Sequence, residues 1–206
     1  MKKWKKRIRW VLGILAFSIF FFYWAQNEGV HKDDSGYRCE CILGWITKSD
    51  RIDKEDSSRF QELQPGDIIL SFSTHTLGWR HGHAGLVLDK DSVLECRMVG
   101  KPSAIVDIDE CHSYSHYVVL RVRNVSREQQ ESVVTYAKEK LCGVPYRLTA
   151  GIFDRSKVEG MQCTYLVWYA WRHAGYDLDF NGGRLVTVRD LFCSEDLEVI
   201  QMFGEY

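Results

Sequence analysis

Apolar positions along this chain fall into short blocks of two different periods. Ile68 to Phe72 is a nearly continuous apolar run behind Pro65-Gly66, the pattern of a buried strand leaving a turn. Ala84 to Leu88 and Val93 to Cys96 are two more short runs, separated by the polar turn Asp89-Lys90-Asp91-Ser92. That arrangement predicts an antiparallel pair. Ala104-Ile105-Val106, Tyr117 to Val122 and Leu197 to Met202 complete the expected strands. Elsewhere the period lengthens. Val133, Val134, Ala137 and Leu141 share one helical face behind a capping box of Ser126 and Gln129, and Gly143 and Pro145 end that helix. Residues 163–174 are apolar nearly all round, which predicts a buried helix stopped at Gly175 with Arg172 and His173 in its last turn. The sum is an α+β domain, with a central antiparallel sheet packed against helices.

The first 62 residues follow a different pattern. Lys2, Lys3, Lys5, Lys6, Arg7 and Arg9 precede an uncharged apolar run from Trp10 to Ala25. A basic flank before such a run is an export signal or a membrane helix. Tyr23 and Trp24 beside Ala25 make a poor cleavage site, so an uncleaved anchor over residues 1–25 is expected, its basic end cytoplasmic. Residues 26–62 are rich in Asp, Glu, Lys and Arg and read as a polar tether, with Trp45 able to dock onto the domain that fills residues 63–206. Ser73 to Gly82 reads as a loop.

Composition narrows the chemistry. The net charge of −1 gives no reason to expect a nucleic-acid partner. Cys111, His112 and His116 lie in one loop but lack a paired C-x-x-C and a second ligand cluster, so neither metal nor other cofactor is expected. The remaining chemistry is that of cysteine. Cys163 opens the buried helix, where unpaired backbone N–H groups favour a thiolate. A small core cysteine is the alternative reading. Of the seven cysteines, Cys39, Cys41, Cys96, Cys111, Cys142 and Cys193 leave room for up to three disulfides on an exported domain, and equally for a second free thiol.

A nucleophilic cysteine needs an imidazole, and the imidazole needs a group to orient it. Gly66-Asp67 before a strand, His83-Ala84-Gly85-Leu86 on the next, Glu95 one strand later and Cys163 at a helix start stand in that order. This order resembles the permuted papain-like cysteine amidases of the YaeF/YiiX type. Those are relatives of the NlpC-type cell-wall peptidases and of lecithin:retinol acyltransferase. The resemblance spans roughly residues 63 to 200 and implies a circularly permuted papain-like fold. It further implies a catalytic set of Cys163 as nucleophile, His83 as base and Glu95 as orienting group. His83, not His81, matches the family's His-x-Gly-[Ile/Leu]. Asp67 reads as a turn or strand-end residue.

Whether Glu95 can meet His83 depends on register. If Leu88 opposed Val93, Glu95 would lie across from Leu86, on the face away from His83. A bulge or an odd-length loop brings the two onto one face. Tyr146, in a Pro-Tyr pair like the family's, either lines the cleft or is a packed aromatic. The resemblance implies amide hydrolysis, and an anchored extracytoplasmic domain makes peptidoglycan peptides the first substrate to try. A lipid-directed acyltransferase or thioesterase using the same three residues is the second reading. A membrane-tethered binding module without turnover is the third.

Overall fold

The computed structural model describes residues 7–18, 30–33, 36–39, 44–45, 60, 62–71, 75–76, 79–114 and 117–203. Helix α1 covers residues 7–18. Among the described residues no helix is long and apolar enough to cross a membrane, and residues 19–25 of the expected anchor lie outside them. Short strands follow where a tether was expected. β1 (Val30–Asp33) and β2 (Gly36–Cys39) form an antiparallel hairpin. β3 (Gly44–Trp45) pairs with β6 (Trp79–Arg80), which also pairs with β5 (His75–Thr76). The stretch read as a loop at 73–82 therefore contains a hairpin, and Trp45 stands opposite Trp79 in it.

The main sheet has six antiparallel strands in the order β11-β10-β4-β7-β8-β9. They are β4 (Ile68–Ser71), β7 (His83–Asp89), β8 (Ser92–Glu95), β9 (Ala104–Asp107), β10 (Tyr117–Val122) and β11 (Leu197–Phe203). Each lies where the apolar runs predict it.

Alternation divides the sheet into two buried faces. Ile68, Leu70, Ala84, Leu86, Leu94, Val118 and Leu120 pack with residues of α2 (Arg127–Tyr136) and α3 (Cys163–His173). Ile69, Val87, Val93, Tyr117 and Val119 form a second cluster with Ile108 and Cys111 from a 3-10 turn, Ile108–Ser113. α2 carries the expected capping box, and a π-helical turn, Ala137–Leu141, extends it. One element was not expected. Helix α4 (Val188–Phe192) is closed by a reciprocal cap between Thr187 and Asp190.

Two contacts fix α3 and β4 in place. Gly66 sits at φ +89°, and a Cβ there would lie 2.8 Å from Trp171 Cζ2. Only glycine lets the indole close in and donate its N–H to the Gly66 carbonyl at 3.1 Å. Asp67 is buried, and Arg121 grips it from β10 through two bonds of 2.8 Å. The Gly-Asp pair is thus architectural, in keeping with a strand-end role for Asp67.

The β7–β8 turn decides the register. Asp89 opposes Ser92, but the pairing slips by one residue at Leu88, so that Val87 opposes Val93 and Gly85 opposes Glu95. That extra residue places Glu95 on the side of the sheet shared by Gly85 and His83.

Candidate active site

Three segments distant in sequence deliver the candidate residues. His83 is the first residue of β7 and is buried. Gly82 precedes it outside the strand, and His81, one residue further back, is exposed, with Nδ1 2.7 Å from the Gly82 carbonyl. Glu95 ends β8 and is buried beside His83, its Oε1 3.4 Å from Nε2. That distance is an ionic contact, long for a well-formed hydrogen bond. Cys163 opens α3, half-buried; its Sγ donates to Gln162 Oε1 at 3.6 Å, and its charge couples to His83. The backbone N–H groups of Ala84 and Thr164 also favour charge on the sulfur.

Gly85 explains how the carboxylate reaches the ring. A Cβ on Gly85 would lie 2.6 Å from Val93 Cγ1, 3.2 Å from Glu95 Cγ and 3.3 Å from Glu95 Oε1. The glycine leaves the space that the Glu95 side chain crosses.

Electrostatics favour charge on all three groups. Burial works against a charged imidazole, yet the Cys163 thiolate and the Glu95 carboxylate outweigh it and push His83 up to about 10. Burial likewise opposes ionisation of Glu95, but His83 and Arg97 hold its carboxyl down at about 2. For Cys163 burial is outweighed by His83 and the two backbone N–H groups, and the thiol falls below its usual range. All three directions favour a thiolate beside an imidazolium over a neutral pair.

Several neighbours gave no signal in the sequence. Gln162 caps α3: its Oε1 accepts from Thr164 N at 3.2 Å and from Thr164 Oγ1 at 2.8 Å, while its Nε2 donates to the Val186 carbonyl at 3.0 Å. Arg97 donates from Nε to Glu95 Oε2 and from Nη1 to Glu110 Oε2. Glu95 Oε1 accepts further bonds from Tyr114 at 3.3 Å and Cys111 at 3.4 Å. No periodicity or motif marks an arginine two residues beyond a carboxylate. Tyr146 is half-buried, and its hydroxyl is pushed up to about 12 by burial and by the nearby Cys163 and Cys96 thiols. Its ring packs against the core cluster on the α3 side.

Cys96 faces away from Glu95, into the α3 side of the core, and donates to the Met161 carbonyl at 3.3 Å. Cys96, Cys111, Cys142, Cys163 and Cys193 are free thiols, so of the two arrangements left open it is free thiols that occur among these five. Burial, not pairing, accommodates Cys96 and Cys111.

With this geometry in hand, comparison with known proteins is informative about the fold. No family model matches the chain, and no curated protein does. Among solved structures it matches the crystal structure of the metalloprotein yiiX from Escherichia coli O157:H7 (DUF1105). The match has a TM-score of 0.57 and 18% sequence identity, over 70% of this chain and 100% of that one. The chain has a YiiX-like fold. YiiX gives its name to the family that the order of Gly66-Asp67, His83, Glu95 and Cys163 resembles, so motif order and three-dimensional likeness point the same way. The neighbour is described as a metalloprotein. Among the described residues here, no group of three or more His, Cys, Asp or Glu is arranged to hold a metal ion. The donors at the candidate site are engaged with one another instead: His83 with Cys163 and Glu95, and Glu95 with Arg97.

Proposed function

We propose that this protein is a cysteine hydrolase that cleaves an amide bond through Cys163, His83 and Glu95. The observation that carries the reading is the convergence of these side chains from β7, β8 and α3 into one charged cluster. The chemistry follows from their placement. With Nε2 turned toward Glu95, Nδ1 is the ring nitrogen left for the sulfur. The Cys163 thiolate attacks the amide carbon, and the carbonyl π electrons move onto oxygen. Backbone N–H groups at the start of α3 receive that oxyanion. As the tetrahedral intermediate collapses, the C–N bond breaks and His83 gives its proton to the departing amine. A water molecule then adds to the thioester carbon, losing a proton to His83. The C–S bond breaks, releasing the acid and restoring the thiolate beside the imidazolium. Glu95 keeps the ring oriented and stabilises its charged form throughout.

The basic, apolar N-terminus supports a membrane-anchored protein with an extracytoplasmic domain, and peptidoglycan peptides are then the substrate to test first. A second reading, a lipid-directed acyltransferase or thioesterase on the same three residues, draws on a specific feature. The loop after β8 is stitched to residues 143–145 by Ser103 N to the Val144 carbonyl at 2.8 Å and Gly143 N to the Ser103 carbonyl at 2.9 Å. Residues 145–147 in turn bond both ways to Met161, two residues from the sulfur. These neighbouring segments and the loop that follows them expose Met98, Val99, Leu148 and Phe153. Exposed apolar side chains on segments tied by backbone bonds to the run that carries Cys163 suit an acyl chain. Incubation of the full-length protein with muropeptides and, separately, with acyl lipids separates the readings by product. Cys163→Ala is expected to abolish whichever turnover is found. Turnover that persists in Cys163→Ala would end the proposal, and ligand binding without turnover in the wild type would favour a binding module.

A further inference from the structure

Glu95 is more heavily held than an orienting group needs to be. Its side chain is 1% exposed, and the four donors around it come from three places. His83 approaches from β7, Tyr114 and Cys111 from in and beside the 3-10 turn, and Arg97 from just beyond β8 itself. Three of the four, His83, Tyr114 and Cys111, crowd onto Oε1. Burial and the carboxylate push Tyr114 and Cys111 well above their ordinary ranges, so both are neutral donors. Oε2 is left to Arg97. Beyond Arg97 stands Glu110, which takes the other arm of the guanidinium and belongs to the turn that carries Cys111. His83 is also coupled to Cys163, which in turn is coupled to Cys96 and Tyr146.

We infer that Arg97 is a positioning residue for the proposed reaction, holding Glu95 ionised and turning its Oε1 to His83. The inference rests on the Cys163–His83–Glu95 reading. An arginine 38% exposed on its side chain would ordinarily add little through a surface ion pair. Here its partner is buried, and the consequence of losing it differs in kind. A desolvated carboxylate deprived of one of two cations protonates more readily. Once neutral, it no longer supports the imidazolium, and the thiolate loses its counter-ion in turn. Arg97 therefore acts on the sulfur through two intermediaries without touching substrate. Its forked guanidinium suits this role, since one N–H fixes Oε2 and another ties the assembly to the 3-10 turn.

The test needs no knowledge of the substrate. The rate of Cys163 alkylation by iodoacetamide is followed from pH 4 to pH 10 on the full-length protein, with the labelled peptide resolved by mass spectrometry from the other thiols. Wild-type protein is expected to label well below the ordinary thiol range. Arg97→Gln is expected to move the acid limb up by about one pH unit and to slow labelling at pH 6 about tenfold. Arg97→Lys, which keeps the charge and loses the fork, moves it in the same direction by a smaller step. Glu110→Gln leaves the limb in place. A wild-type limb in Arg97→Gln overturns the assignment, as does a Glu110→Gln limb displaced as far as that of Arg97→Gln, because the effect would then belong to loop anchoring. Should Arg97→Gln fail to fold, an unmoved limb in Arg97→Lys overturns it equally. Wild-type protein that labels like an ordinary thiol removes the underlying triad reading instead.

Discussion

The sulfur of Cys163 gains its character from what surrounds it rather than from its position in a helix alone. His83 and the N–H groups of Ala84 and Thr164 together outweigh burial, which acts in the opposite direction. Removing the imidazole removes the largest of those supports. His83→Ala is expected to slow alkylation of Cys163 at pH 6.5 by about tenfold or more, read by mass spectrometry, with equal rates counting against an activated pair. At this scale the sequence marked Cys163 by its place at a helix start, and the family resemblance singled out His83 through His-x-Gly-[Ile/Leu]. It was silent on Arg97, Tyr114 and Gln162. Their roles come from side-chain reach in three dimensions, as when Tyr114 extends to a carboxylate 19 residues away. Nothing in local spacing encodes such reach.

Among the elements, the β7–β8 hairpin matters most. Without the slip at Leu88, the observed Asp89–Ser92 pairing would carry Glu95 to a position opposite Leu86 and away from the ring. The runs of Ala84–Leu88 and Val93–Cys96 announce both strands, but a bulge leaves no mark in the sequence, so the register is legible only in the pairing itself. α4 is the converse case. Thr187 and Asp190 stand at capping-box spacing, but the helix they open is only five residues long, too short for a helical period to show in the sequence. The short pairs β3, β5 and β6 are two residues each, too brief for alternation to register. Gly85 offers the sharpest test of the hairpin. Gly85→Ala would press a methyl against Val93 and the Glu95 side chain. It is expected to cost about 1–3 kcal/mol by urea unfolding and to slow Cys163 labelling as well. A stable Gly85→Ala protein with wild-type labelling would show that the gap is not what lets the carboxylate through.

For the whole molecule, the α+β layout was legible because each of the six sheet strands carries its own apolar run, and the order of strands was not, because pairing partners such as β10 and β4 lie far apart in sequence. Stability should carry the imprint of the charged cluster. Glu95 ionises at about 2 in the folded chain against 4.5 ordinarily, so its contribution is complete above 4.5 and lost as pH falls toward 2. His83 works in the opposite sense: its contribution is complete below 6.5 and lost as pH rises through about 10. The lowered thiol of Cys163 contributes above 9.0 and less as pH falls through its folded value. Between pH 9 and 10.5 most of the unfolded thiol is ionised too, and the raised Cys111, Tyr114 and Tyr146 titrate in wild type and His83→Gln alike, so the difference between the two proteins reports His83. The urea midpoint of wild-type protein is expected to drop more steeply over that interval than that of His83→Gln, and parallel curves would contradict the raised imidazole. The Trp171–Gly66 bond adds a different consequence. Sulfur and ring ride on separate layers, and this bond helps clasp them together. Loosening the clasp, for example by Trp171→Phe, should let the helix lift and silence the thiolate while most of the protein is still folded, so thiol reactivity would serve as a gauge of how often the two layers part.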